Sequence, residues 1–167
     1  MTEPPASRLP TEPFITAPPA DAHPKTLAIH RYWLDQAPAP GRLPGRADID
    51  PIDIPMLLDN VWLLDVVGAP PRFRLRLVGG VIHRAGVAAR VGAYMDEYVA
   101  PAELPGRQMR FAVAERMPVW FRGEAYIRHR AKLFTLERIF LPLAADGATV
   151  DMMLCLTVYY RLDGSEI

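Results

Sequence analysis

The pattern of apolar and polar positions changes period partway along the chain. Between Thr26 and Gln36, Ile29, Tyr32 and Trp33 follow the i, i+3, i+4 spacing of one helical face, and Leu27 and Leu34 lie seven apart. This predicts an amphipathic helix of about three turns, ended by Pro38 and Pro40. A Pro/Gly-rich connector from Pro40 to Arg46 leads into Asp48–Pro55, where Pro51 and Pro55 rule out one long helix. A short helical turn starting near Pro55 and carrying Met56, Leu57 and Leu58 fits instead. Val61–Val67 is an apolar run rich in β-formers, followed by the turn Gly68-Ala69-Pro70-Pro71. Arg72–Val78 alternates strictly, with Phe73, Leu75 and Leu77 on one face and Arg72, Arg74 and Arg76 on the solvated other. Two such runs flanking a turn predict an antiparallel hairpin. The middle of the chain is helical: a short helix over Val81–Ala85, a turn within Gly92–Tyr98, and a longer helix over Arg107–Met117, stopped by Pro118. Met109, Ala112 and Val113 share one face of that helix. Three strands then follow, Val119–Arg128, Leu133–Leu143 and Val150–Arg161. The apolar phase of the second shifts between Leu136 and Ile139, which suggests a bulge. Asp146-Gly147 marks the turn before the third, whose apolar face holds Met152, Leu154, Leu156 and Val158.

Ahead of this patterned region, residues 1–24 carry Pro4, Pro5, Pro10, Pro13, Pro18, Pro19 and Pro24, which points to a disordered or extended tail before one domain over 25–163. Lys plus Arg equals Asp plus Glu at 19 each, so there is no electrostatic reason to expect nucleic acid or an anionic membrane as a partner. No signal-peptide pattern and no apolar run of bilayer-spanning length occurs, so a cytoplasmic location is expected. The single cysteine, Cys155, lies in an apolar run and reads as a buried structural thiol.

The order of elements is helix, two strands, short helices, a longer helix and three strands, which is the order of a PAS domain. The chain also resembles a family of small single-domain PAS-like proteins found mainly in alphaproteobacteria. The resemblance is carried by Tyr32-Trp33, Gly41-Arg42-Leu43-Pro44, Asp48–Pro51, Ile54-Pro55, Leu63-Leu64-Asp65, Phe73–Gly79, Gly86, Gly92, Glu137–Leu143 and Asp146-Gly147. It implies an α+β fold: a five-stranded antiparallel sheet with short helices on one face and an N-terminal amphipathic helix. It also implies a role in signalling rather than catalysis, and it transfers no catalytic residues. Gly80 departs from the pattern, where threonine is expected after Gly79. The motif residues read as structural, with Asp48 or Asp50 capping a turn or pairing with Arg42 or Arg46, and Gly79 allowing a strand-to-helix bend.

Sharper chemistry finds little support. His23, His30, His83 and His129 show no metal-site spacing, so no metal is expected. Haem-binding PAS domains usually take a histidine from the long helix before the third strand, and Arg107–Met117 has none. A LOV-type flavin site needs a cysteine in a central helix, whereas Cys155 falls in a strand, so no cofactor is expected. The only serines, Ser7 and Ser165, lie near the ends, and neither a GxSxG elbow nor a phosphate loop occurs, so an enzyme is not expected. Two roles remain. In the first, a stand-alone sensor binds a small molecule through Phe73, Leu75, Ile82, Tyr94, Met109, Val113, Phe121 and Leu154, with Tyr94 as polar handle, and passes the signal to a protein partner. In the second, a ligand-free adaptor or homodimer uses Tyr32, Trp33, Trp120 and Tyr126 as its contact.

Overall fold

The computed structural model describes residues 14–127 and 132–167, with side chains for all of these except 125–127 and 132–134. Helix α1 spans Pro24–Asp35, two residues earlier than the apolar spacing alone marks. Proline suits a first helical position, and His23 caps the helix by accepting a hydrogen bond from the Lys25 N–H at 3.1 Å. Single 3-10 turns follow at Arg46–Asp48, Pro51–Asp53 and Pro55–Leu57, the first ended by the extended Ile49 and the second by Ile54 before Pro55. Asp48 accepts from the Gly45 N–H at 2.7 Å and Asp50 from the Ile52 N–H at 2.9 Å, so both aspartates cap turns. Strands β1 (Val61–Val67) and β2 (Arg72–Val78) form the expected hairpin. Helix α2 spans Gly80–Arg84, a 3-10 turn covers Met95–Glu97, and helix α3 spans Leu104–Glu115. Pro105 starts α3 before the Arg107 expected from periodicity. Strands β3 (Val119–Ile127), β4 (Lys132–Leu143) and β5 (Met152–Tyr160) complete a five-stranded antiparallel sheet in the order β2-β1-β5-β4-β3.

The sheet is covered on both faces. On one, α1 and the 3-10 turns lay Ile29, Trp33, Leu43 and Ile54 against Leu63, Ile139, Leu141 and Leu154. On the other, α2 and α3 lay Val81, Ile82, Met109 and Ala112 against Trp62, Leu64, Phe73 and Phe140. Two-sided burial explains why β4 and β5 lack clean alternation. It also removes the expected bulge: β4 steps without a shift from Thr135↔Tyr160 to Leu143↔Met152, and likewise against β3. The irregularity lies instead in the hairpin, between Leu63 and Leu64. Gly79 has an extended backbone, φ −69°, and is needed for closeness rather than flexibility. A Cβ there would sit 2.3 Å from the Asp59 carbonyl oxygen and 2.6 Å from that of Val61.

The segment 14–24, expected as part of a disordered tail, is instead packed against the domain. The Phe14 ring meets Phe111 edge-on at 5.0 Å, and the Ile15 carbonyl accepts from the Trp120 N–H at 2.8 Å. Asp21 pairs with Arg122 at 3.1 Å, and the His23 N–H donates to Glu137 at 2.9 Å. The prolines keep this stretch out of regular structure, but its carbonyls, charges and rings still find partners. Glu137 anchors it, a carboxylate with 0% exposure on the α1 face of β4, gripped by Arg122 at 2.9 Å.

Trp33 and Trp120, expected at an interface, are core residues at 6% and 8% exposure. The Trp33 indole N–H donates to the Pro142 carbonyl at 2.9 Å, so its polar edge is satisfied inside the molecule. Tyr32 is half-buried, and its hydroxyl donates to Asp53 at 3.1 Å and accepts from the Asp50 N–H at 2.9 Å, tying α1 to the turns. The Tyr126 backbone pairs with Leu133 in the ladder, and its side chain lies outside the described residues.

Candidate functional site

A cavity of about 140 Å³ lies between the sheet and the helical middle of the chain. Its floor is the α2/α3 face of four strands, with Trp62 of β1, Leu75 of β2, Leu136 and Phe140 of β4, and Thr157 and Tyr159 of β5. Strand alternation puts these on one face, and the antiparallel order sets β1, β5 and β4 side by side beneath the opening. Ile82 of α2 and the segment 86–89 form one wall, while Met95, Tyr98, Val99 and Pro105 form another. Backbone bonds hold this covering segment against β2: Leu75 N–H to Ala93 O at 2.8 Å and Gly92 N–H to Leu75 O at 2.7 Å. The Tyr98 hydroxyl accepts from the Arg90 N–H at 3.1 Å, which folds the segment back on itself.

The polar part of the lining is Arg138, Thr157 and Tyr159, on adjacent strands β4 and β5. Arg138 is 8% exposed and donates to Gln108 Oε1 of α3 at 2.6 Å. Its guanidinium also lies over the Phe140 ring at 4.9 Å and the Phe121 ring at 5.5 Å. Burial lowers its pKa from 12.5 to about 10, which leaves it charged at neutral pH. Burial pushes the Tyr159 phenol up to about 12, against the pull of the Arg138 charge, so it is neutral. The Thr157 hydroxyl accepts from the Trp62 indole N–H at 3.1 Å, which fixes the large ring of the floor. A mostly apolar chamber with one cation and two hydroxyl groups suits binding and orientation of a small molecule. Among the described residues, no three His, Cys, Asp or Glu side chains come together as a metal site.

Of the residues expected from sequence to contact a ligand, Leu75 and Ile82 line the cavity. Phe73 and Met109 are packed in the core beneath it, and Val113 and Phe121 are partly buried beside that core. Leu154 faces α1 on the opposite side of the sheet, because β5 is apolar on both faces and its Met152–Val158 row is the one turned away. Tyr94 does not line the cavity: the Arg72 guanidinium stacks on its ring at 3.8 Å, and Arg72 also pairs with Asp96. Arg138, Thr157 and Tyr159 were missed. The available signal was a charged residue inside an apolar strand whose neighbours at period two, Leu136 and Phe140, are both large.

Cys155 lies on this side of the sheet in the core, outside the cavity lining, and burial raises its thiol pKa well above the usual value. The native protein is therefore expected to resist a thiol reagent that labels it fully once urea unfolds it. Rapid stoichiometric labelling of the folded protein would contradict this placement.

No curated protein matches the chain. Among solved structures, a chain from a structural study of a fungal LOV domain photoreceptor is similar, with a TM-score of 0.46 and 18% identity over 68% of this chain and 94% of that one. A family profile described as PAS domain matches residues 21–158, and the chain therefore belongs to the PAS domain family.

Proposed function

We propose that this chain is a sensor: a small molecule enters the cavity and shifts the packing of the covering segment, and a protein partner reads the change. PAS domains are in general sensory rather than catalytic modules, and that general role is what family membership supports here. The observation that carries the finer reading is the cavity itself, about 140 Å³ with a cation in its wall, placed between the sheet and a segment of turns and short helices. Such a segment is the sort of low-stability element that ligand responses draw on. The energy available for signalling is the ligand's differential affinity for two packings of that segment.

Native and denaturing mass spectrometry of the purified protein is the direct test. A stoichiometric, non-covalent species released on unfolding is expected, and Leu136→Phe, which pushes a ring into the cavity, should lose it. Retention of the same species by that variant would place the ligand elsewhere. A protein that purifies empty, and that no small molecule of cavity size stabilises, would sink the sensor reading. The rival reading, a ligand-free homodimeric adaptor joined through α1 or β3, is weakened by the burial of Trp33 on the one and Trp120 on the other.

A further inference from the structure

We propose that the molecule this cavity takes is a small carboxylate, one ring or a short chain with a single anionic end, held by Arg138; this rests on the reading of the cavity as a ligand site.

Arg138 is more than nine-tenths buried and forms part of the wall. Among the described residues its hydrogen bond runs to a neutral amide oxygen, Gln108 Oε1, and its Nε–H has no partner. The adjacent carboxylate, Glu137, lies on the other face of the strand and is already paired with Arg122. The guanidinium keeps its charge at neutral pH, since burial brings its pKa only to about 10. A buried ion without a counter-ion is costly to the fold, and the two phenyl rings beside it attract the cation without neutralising it. Among the described residues the missing element is a counter-ion, and an anion in the cavity would meet the guanidinium where it forms the wall.

The rest of the lining narrows the class. Thr157 already accepts from Trp62, so its hydroxyl is oriented to donate, and a donor beside a guanidinium again selects for an acceptor-only group. A carboxylate carries the single charge that one arginine balances, whereas a phosphate dianion would bring more charge than this wall answers. The remaining lining is Trp62, Leu75, Ile82, Leu136 and Phe140, which calls for an apolar body. At about 140 Å³ the cavity is close to the roughly 150 Å³ of an engineered apolar cavity that takes benzene, so one ring or a short chain is the right size.

Calorimetry on the intact chain with matched pairs tests this: benzoate against benzamide, and hexanoate against hexanamide. The wild type should bind at least one carboxylate roughly ten- to a hundredfold more tightly than its amide, the range expected for a hydrogen bond to a charged group. Arg138→Met should erase that preference while still binding the amide. The variant should also fold, because an apolar side chain replaces an uncompensated ion. Amides bound as tightly as carboxylates by the wild type would overturn the anionic class and leave the small-molecule reading standing. Failure of every member of both series would overturn the cavity as a ligand site as well. An Arg138→Met protein that keeps the carboxylate preference would remove Arg138 from the role. If that variant fails to fold, the wild-type comparison and Arg138→Lys, which keeps the charge, still decide the class.

Discussion

Glu137→Ala should lose about 3 kcal/mol of folding stability, the low end of the range for breaking one side of a buried ion pair, because the Arg122 side of the pair is about a third exposed. The variant's urea midpoint should fall while the slope of the transition stays near that of the wild type. The carboxylate has no exposed surface, and it accepts from the His23 N–H, while Arg122 binds it through Nε at 3.0 Å and Nη2 at 2.9 Å. Alanine would strand the His23 N–H, while Arg122 keeps solvent and its bonds to Asp21, so the loss includes that stranded donor as well as the pair itself. Burial pushes the Glu137 carboxyl up, but Thr26, Trp120, the His23 N–H and Arg122 outweigh it and hold the pKa below the usual value. A depressed carboxylate stabilises the fold above its unfolded-state pKa, and that contribution fades as pH falls through the lower folded value. The difference between wild type and Glu137→Ala should therefore be full at neutral pH and narrow in acid, as pH falls below the ordinary carboxylate range. A difference that stays constant down to acid pH would mean that the ionised form is not what matters.

Trp33→Ala should cost a similar amount, about 3–5 kcal/mol, the range for truncating a large buried aromatic side chain. The cavity it leaves would lie between α1 and the sheet, and the Pro142 carbonyl would lose the indole N–H. Trp33→Phe should recover much of the packing and none of that hydrogen bond. Thermal or urea unfolding reads the loss, and sedimentation of the still-folded protein reads assembly. If Trp33→Ala altered assembly while leaving stability untouched, the residue would act at the surface and not in the core.

Much of the fold was legible because local rules and tertiary packing agree. The hairpin Val61–Val67 and Arg72–Val78 appears at the boundaries that its alternation and turn residues imply, because one face of β2 meets solvent. Strands β4 and β5 were found, but their facing was not, since burial on both sides erases the period-two contrast that assigns a side chain to a face. Hence the apolar pattern does not say that Leu154 faces α1, and its phase shift suggests a bulge where the ladder is regular. Tyr32, Trp33 and Trp120 followed the spacing or aromatic character of a contact surface. Yet the same features describe a helix that packs on its own sheet. The cavity was hardest to anticipate, because Arg138, Thr157 and Tyr159 converge only through the β4·β5 register, and nothing in a linear reading fixes that register.

Strand β3 is the last in the sheet, and the bridge from Ile15 to Trp120 sits on its open side. Unpaired strand borders invite other polypeptides to add on, which leads to aggregation. The N-terminal segment meets this hazard with a single rung of ladder and then turns away. Pro18 and Pro19 lack the N–H groups that a further strand would need, so whatever approached this side would find a strap that cannot be copied outward. The residues that keep the segment from becoming a strand are thus suited to act as gatekeepers, guarding the start of β3 against strand addition.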